Sequence, residues 1–485
     1  MRVYAPTLKA LGMVIMIFGM LMCVPLSVSL WLKDGATSAY YGGILATFIT
    51  GVLITSLTWR QRRDLRVHDG FLLVAATWIV LPVFGSLPLI NYIPELTFTR
   101  GYFEATSGLT ATGGTVLTGL DTLPTSINLW RTFMHWIGGM GVIVLVVAIL
   151  PLLGIGGRQL YKTEVPTPMK ESSLTPRITE TAKGLWLAYI LLTLGCGTSL
   201  WLAGMDSWDA AIHAFSVIGL GGFSNRDASL GYYDSASIEI TVVVFALASA
   251  LNFSTHYLAL SRHSIKPYLR DPEIPFFFGV FIFSVILLSG YLMALGIYDN
   301  IFTTLRHVIF NITSIATSLG LAIHDYTYWP MFPQLWILFM GSFFACSGSA
   351  GGGIKMMRAI LLYKQVLREI IRALHPHAIR PVHLGNQVIP ENILQAILGF
   401  SFIYMVTIVS LTLLLCATGL DIVTAFSGVV ACLNNTGPGL GEVGPASNYA
   451  GLNNFQLWIL SFTMILGRLE IFTLLVVMTP QFWRR

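Results

Sequence analysis

The sequence predicts an all-α integral membrane protein in which four parallel span–pore-loop–span repeats surround a central pore, preceded by a two-span N-terminal hairpin. Three observations carry this expectation. Of the 485 residues, 55% are hydrophobic and only 11% charged, with a mean hydropathy of +0.72, too few charges to cover a soluble surface of this size. Ten apolar segments lie near residues 10–32, 40–59, 71–92, 127–153, 184–205, 238–261, 275–297, 334–363, 393–419 and 455–480, each approaching the roughly 20 residues that cross about 30 Å of hydrocarbon. Finally, a short polar stretch ending in glycine interrupts this pattern four times.

The first apolar run follows Arg2 and Lys9 but is too long for a signal core and lacks a small-residue cleavage site, so it reads as a retained span. Residues 1–70 form the hairpin and close on the basic run Arg60-Gln61-Arg62-Arg63. With a cytoplasmic N-terminus, the internal segments are 1–9, 60–70, 154–183, 262–273, 355–391 and 481–485. They hold every Lys and Arg except Lys33, Arg100, Arg131, Arg226, Arg306 and Arg468, which places both termini in the cytoplasm. Topology therefore explains the net charge of +5, and no motif points to nucleic acid. Five cysteines scattered through apolar segments, with no CxxC pairing, read as buried thiols rather than a metal or disulfide framework.

From residue 71 the chain repeats, in units 71–157, 158–263, 264–366 and 367–485. Glu104 to Gly113, His213 to Gly222 and Asn311 to Gly320 align without gaps, with Ser107, Ser216 and Ser314 in one column. The fourth copy ends Asn434-Asn435-Thr436-Gly437-Pro438-Gly439 and has Ala431 in the serine column. The register glycines recur roughly every hundred residues, the length of two spans with their loops.

Irregular backbone survives at membrane depth only where it is buried in protein or lines a water-filled cavity. Four such loops meeting on one axis would present rings of carbonyl oxygens able to replace the hydration shell of a monovalent cation. Glycine suits a turn that needs φ > 0, and short helices ending at the axis favour a cation by their dipoles. Glu104, Asp206, Asp209, Asp227, Asp325, Asp421 and Glu442 are expected to concentrate cations at the outer mouth.

Below the third repeat, Cys346-Ser347-Gly348-Ser349-Ala350-Gly351-Gly352-Gly353 should break its helix, since each glycine costs about 1 kcal/mol there. It reads as an intramembrane loop that obstructs the pore and moves to open it. Arg468, near the middle of the last apolar segment, carries a charge costing about 2.5–3.5 kcal/mol at that depth. Glu470, two residues on, does not share its helix face, so Arg468 is expected to face the pore and form the constriction with the glycine-rich loop.

The fourfold module, one glycine per loop, Gly221-Gly222-Phe223-Ser224-Asn225 in the second repeat and Gly467-Arg468-Leu469-Glu470 in the last span resemble the Trk/Ktr/HKT superfamily of potassium transporters. The N-terminal hairpin makes the chain most similar to the bacterial TrkH type within it. The resemblance implies potassium as the transported ion, with no organic cofactor. It further implies a bacterial inner membrane, a homodimer with one pore per subunit, and regulation by a cytosolic TrkA-type RCK nucleotide-binding ring. The filter would be Thr110-Ala111-Thr112-Gly113, Gly219-Leu220-Gly221-Gly222, Thr317-Ser318-Leu319-Gly320 and Asn434-Asn435-Thr436-Gly437. The carbonyls of Ala111, Thr112, Leu220, Gly221, Ser318, Leu319, Asn435 and Thr436 would be the ion ligands. The glycines Gly348, Gly351, Gly352 and Gly353, with Ser349, Ala350 and Arg468, would form the gate.

The basic residues Arg158, Lys162, Lys170, Arg177, Lys364, Arg368 and Arg372 fit the topological bias and also offer surfaces to a cytosolic regulator. Gly154-Ile155-Gly156-Gly157 has no strand context for a nucleotide site. The histidines, His135, His213, His307 and His324 among them, read as packing or solvated residues. No nucleophile, base and oxyanion set is visible, so an enzyme is not expected. A proton- or sodium-coupled symporter is the competing reading, weakened by parallel repeats and by the lack of a titratable midplane residue.

Overall fold

The computed structural model describes residues 4–60, 63, 65–141, 178–385 and 387–484. The basic residues from Arg158 to Arg177, the Gly154–Gly157 stretch and the end of the fourth apolar segment lie outside these residues. Among those described, six helices are long and apolar enough to cross a membrane: Ala5–Leu32, Thr37–Leu57, His68–Tyr92, Lys183–Leu202, Ile274–Ala294 and Glu391–Ala417. Their outward side chains, such as Leu57, Leu194, Leu202 and Phe402, are exposed, as an apolar solvent allows.

The first two spans pack through facing glycines. A Cβ on Gly12 would lie 3.0 Å from the Gly51 carbonyl oxygen and one on Gly51 would lie 2.8 Å from that of Gly12, so their absence lets the backbones approach. This hairpin is tied to the first repeat by Tyr40, whose hydroxyl donates to the Ser126 carbonyl at 2.8 Å, and by Asp34, which accepts from the Ser126 amide at 3.0 Å.

Each repeat then contributes a span, a half-length helix and a second helical stretch, of which the first repeat's is described over Thr125–Gly139. The half-length helices are Phe98–Leu109, Ser207–Gly219, Ile301–Ala316 and Ile422–Leu433. Three start at a carboxylate or amide that accepts from the first turn: Asp206 from Trp208, Asn300 from Phe302 and Asp421 from Thr424. Such caps satisfy amides a helix cannot pair internally. These helices are buried inside the molecule, the first without interruption from Gly101 to Leu109.

Three of the second stretches are broken. The glycine-rich interruption is where the sequence places it, between Met331–Gly341 and Met356–Leu374. The other two breaks correct the expectation of continuous spans at 238–261 and 455–480. Ala236–Ala250 bends by 95° into Phe253–Ser261, and Asn454–Arg468 bends by 113° into Phe472–Met478. At the first bend, the freed Ala250 carbonyl accepts from the Cys346 amide at 2.9 Å and the Phe253 amide donates to the Gly348 carbonyl at 3.1 Å. The glycine-rich loop thus supplies partners for a broken helix that hydrocarbon could not supply.

Candidate functional site

All four half-length helices end in the same way. The residue two before each register glycine has φ > 0: Ala111 at 53°, Leu220 at 51°, Ser318 at 67° and Asn435 at 52°. Its amide reaches back three residues, and the next amide reaches back five. Thus Thr112 donates to Ser107, Gly221 to Ser216, Leu319 to Ser314 and Thr436 to Ala431, at 2.8–2.9 Å. This is the Schellman ending, here built on four non-glycine residues. It explains how alanine can stand in the serine column, because what the ending uses is the backbone carbonyl.

The register glycines Gly113, Gly222, Gly320 and Gly437 also take φ > 0, between 78° and 89°. A Cβ on any of them would fall no more than 2.5 Å from a carbonyl of the next repeat. Gly113 abuts the oxygen of Gly221, Gly222 that of Leu319, Gly320 that of Thr436, and Gly437 that of Thr112. The contacts run cyclically and close on the first repeat, so the four loops form one ring. One outer cavity is lined by all four glycines, together with Arg131, Arg226, Asp227 and Tyr449.

Side chains brace this ring unequally. Asn435 donates to the Thr112 hydroxyl at 2.9 Å and to the Met464 carbonyl at 3.0 Å. Tyr449 donates to the Gly437 carbonyl at 2.6 Å, and Tyr404 donates to Asn434 at 2.6 Å. Thr110 and Thr112 share a hydroxyl contact at 2.7 Å. The His135 ring lies on Phe223, with centroids 4.1 Å apart, and occupies the space where Gly221 would carry a side chain. His213 bonds the Asp209 carbonyl and the Ser224 hydroxyl. Both histidines are buried and serve packing.

Of the seven acids expected at the mouth, Glu104 and Asp209 are buried. Glu104 and Arg131 are fully buried and paired at 2.8 Å. Thr115 and the Val116 amide also donate to Glu104, and Arg131 reaches the Ser224 carbonyl at 3.0 Å. A buried carboxylate needs such partners, so its charge is consumed in joining repeats one and two. Asp206 and Asp421 cap helices, Asp227 accepts from the Leu120 amide, and Asp325 accepts from the Thr327 amide. Burial pushes the Asp209 carboxyl up, but hydrogen bonds from Tyr233, Arg226 and Asn225 outweigh it and hold the group below the usual carboxylate range. Asp206, Asp227, Asp421 and Glu442 remain exposed, and Asp227 lines the cavity.

Beneath the ring, the glycine-rich loop packs against the ends of the half-length helices. A Cβ on Gly351 would lie 2.8 Å from the Thr317 carbonyl, and one on Gly352 would collide with that of Asn434. Gly353 has φ of 82°, with a Cβ position 2.6 Å from the Ser342 carbonyl. Gly348 is also left-handed, at 74°, and the Ser349 hydroxyl donates to the Cys346 carbonyl.

Arg468 meets this loop as expected, donating to the Ala350 carbonyl at 3.0 Å and to the carbonyls of Gly138 and Gly139. It sits at the last residue of the helix before the 113° bend rather than in mid-span, where the helix dipole favours a cation. Glu470 is paired instead with Arg358. The sequence reading missed Glu273. This buried carboxylate, one residue ahead of the span Ile274–Ala294, accepts from the Ser347 amide at 2.9 Å and the Met357 amide at 3.1 Å through one oxygen. It therefore clasps both ends of the glycine-rich loop. The only signal in the sequence is an acid among basic residues at the start of a span.

Below the loop, Met356–Leu374 continues as a helix. Arg368 pairs with Glu391 at 2.8 Å, and Lys364 donates to the His383 carbonyl, so part of this basic surface is engaged within the chain.

Comparison with known proteins agrees with this architecture. The family described as TrkH, cation transport protein, matches residues 41–485. The Trk system potassium uptake protein TrkH of Salmonella typhimurium is 45% identical over 481 residues, covering 98% of each chain. TrkG of Escherichia coli K12 is 36% identical over 474 residues, with 98% of this chain and 97% of that one covered. The crystal structure of the potassium transporter TrkH from Vibrio parahaemolyticus superposes with a TM-score of 0.90 at 40% identity, covering all of both chains. With the four-loop ring in place and similarity running from end to end, the chain belongs to the TrkH family of cation transport proteins.

Proposed function

We propose that this chain takes up potassium across a bacterial inner membrane through a gated, channel-like pore, with both termini in the cytoplasm. The observation that carries the reading is the closed ring of Gly113, Gly222, Gly320 and Gly437, whose loops place eight carbonyls (Ala111, Thr112, Leu220, Gly221, Ser318, Leu319, Asn435 and Thr436) in equivalent backbone positions. Residues of positive φ separated by single residues without it are suited to turning successive carbonyls toward one side, the geometry needed to replace a hydration shell. The potassium uptake named for the Salmonella and Escherichia relatives supports that ion as cargo.

The four repeats, in units 71–157, 158–263, 264–366 and 367–485, each supply one quarter of this filter, and residues 1–70 support it from outside. Control lies below, at Gly348–Gly353 and Arg468, whose mutual contact supports a gate there. The gate continues into Met356–Leu374, through which a cytosolic nucleotide-binding ring of the TrkA type could pull the loop aside. The protein would act as a homodimer with one pore per subunit.

Flux of rubidium into liposomes under a potassium gradient, with no proton or sodium gradient, tests the reading. Uptake that follows the electrical potential, about 2.3 kcal/mol per charge per 100 mV, and is blocked by potassium more than by sodium supports it. Uptake that vanishes without a proton or sodium gradient would establish coupled symport instead.

A further inference from the structure

The outer face holds a pair of imidazoles that no transport step uses. His307 lies on the third half-length helix, and His324 follows Gly320 by four residues in the same repeat. Their Nδ1 atoms are 2.9 Å apart, so a single hydrogen joins two ring nitrogens that each carry a lone pair when that hydrogen leaves. Both rings are half-buried.

From this juxtaposition we infer that His307 and His324 form a binding site for a borderline-soft divalent transition cation such as Zn2+, with water completing the coordination. Tetrahedral zinc with Zn–N bonds of about 2.0–2.1 Å holds two ligand nitrogens about 3.3 Å apart, a few tenths of an ångström wider than the pair now stands. Replacing the shared hydrogen by the ion therefore asks for a small rotation, not a rearrangement.

The surroundings are those of a supported ligand. His324 Nε2 is 3.1 Å from the Tyr298 hydroxyl, which in turn accepts from Trp329 Nε1 at 2.9 Å. A bond on the far nitrogen fixes the orientation of a ligating ring and releases Nδ1 for the metal. The Tyr298 ring also stacks on His307, centroids 5.2 Å apart and planes 11° from parallel.

Charge does not forbid the ion. Arg306, next to His307, is held by Glu239 and Asp234 at 2.6 and 2.8 Å, and Asp325 adjoins His324. Nitrogen donors select zinc, copper or nickel over calcium or magnesium. No group of three or more His, Cys, Asp or Glu suited to a metal occurs among the described residues, so this is an open two-ligand site of modest affinity.

Zinc binding to the purified full-length protein, followed by isothermal titration calorimetry at pH 7.5, tests this independently of transport. The His375→Gln/His377→Gln variant serves as background, since both of these histidines are exposed on the opposite side. The expected result is one ion per chain, with affinity at least tenfold weaker in His307→Gln and in His324→Gln. A melting temperature that rises with zinc in the background variant, and not in either imidazole variant, supports the site even if one substitution weakens the fold. Equal zinc affinity across all variants, or no zinc bound by the background protein, overturns it. Failure of ion flux in liposomes bears on the transport reading alone.

Discussion

A methyl group on Gly113 would meet the Gly221 carbonyl oxygen, and φ of 87° at that position costs an alanine about 1–2 kcal/mol before any clash. Overpacking adds about 1–3 kcal/mol. Gly113→Ala is therefore expected to cut rubidium flux at least tenfold. Gly279→Ala, whose added carbon meets nothing within 4 Å, should leave flux unchanged in the same liposome measurement. The register glycines were legible in the sequence because no other residue tolerates both the backbone angle and the approach of the next loop. The left-handed residues two positions earlier were not, because Ala111, Leu220, Ser318 and Asn435 share no side-chain chemistry. Their strain of order 1–3 kcal/mol each is imposed by the helix ending and its two reaching amides. The Glu104–Arg131 pair was also hidden, since a carboxylate near the chain's outer side looks the same whether it faces water or a guanidinium 27 positions away. Removing one partner leaves a buried charge, so Glu104→Gln should lower stability by about 3–5 kcal/mol, and Glu104→Gln with Arg131→Met should recover much of it. Thermal unfolding in detergent checks both.

At the scale of elements, the glycine-rich loop is fastened by Arg468 on Ala350, by Glu273 on Ser347 and Met357, and by the broken second-repeat helix at Ala250 and Phe253, among other contacts. The sequence exposed the first because a charge in an apolar run is conspicuous. It concealed the bends after Ala250 and Arg468, where apolar residues continue on both sides and hydropathy does not change. A hydrogen bond to a charged group contributes about 1.5–3 kcal/mol, and each 1.4 kcal/mol shifts a two-state population tenfold. Arg468→Ala should accordingly raise flux through the unregulated protein by roughly tenfold or more. Arg468→Lys should fall between, since one ammonium cannot span two sets of carbonyls as a guanidinium does. Unchanged or reduced flux at equal expression would refute the assignment. Burial, against which the Ser347 and Met357 amides act, pushes the Glu273 carboxyl up to about 7, with Asp271 adding to the rise and Lys355 opposing it. A carboxyl raised in the packed state favours that state when protonated, and the benefit is lost as pH rises through about 7. If loop release hydrates Glu273, inner-side alkalinisation from pH 6 to 8 should increase basal flux. Glu273→Gln should flatten this response.

For the whole molecule, the sequence disclosed the class, the repeat count and the ring, because hydropathy, charge placement and glycine register are all written along the chain. The burial of Glu104 and Asp209 was not legible because sequence shows acids but not their partners. Potassium held by the ring would stabilise the folded state by about 2.7 kcal/mol at a hundredfold excess over Kd. The melting temperature in potassium chloride should thus exceed that in sodium chloride at equal ionic strength by a few degrees. Identical melting in the two salts would count against ion ligation by the ring. Since one chain supplies all four quarters, a substitution enters the ring once, and each quarter has kept its own outward side chain.

The amides that end the half-length helices carry a further consequence. In every loop the amides of the left-handed residue and of the residue after it are turned back to the carbonyls of their own helix. An anion arriving at the ring would not find those eight donors to meet it. Discrimination by sign thus begins with how a helix stops, before size or hydration enters.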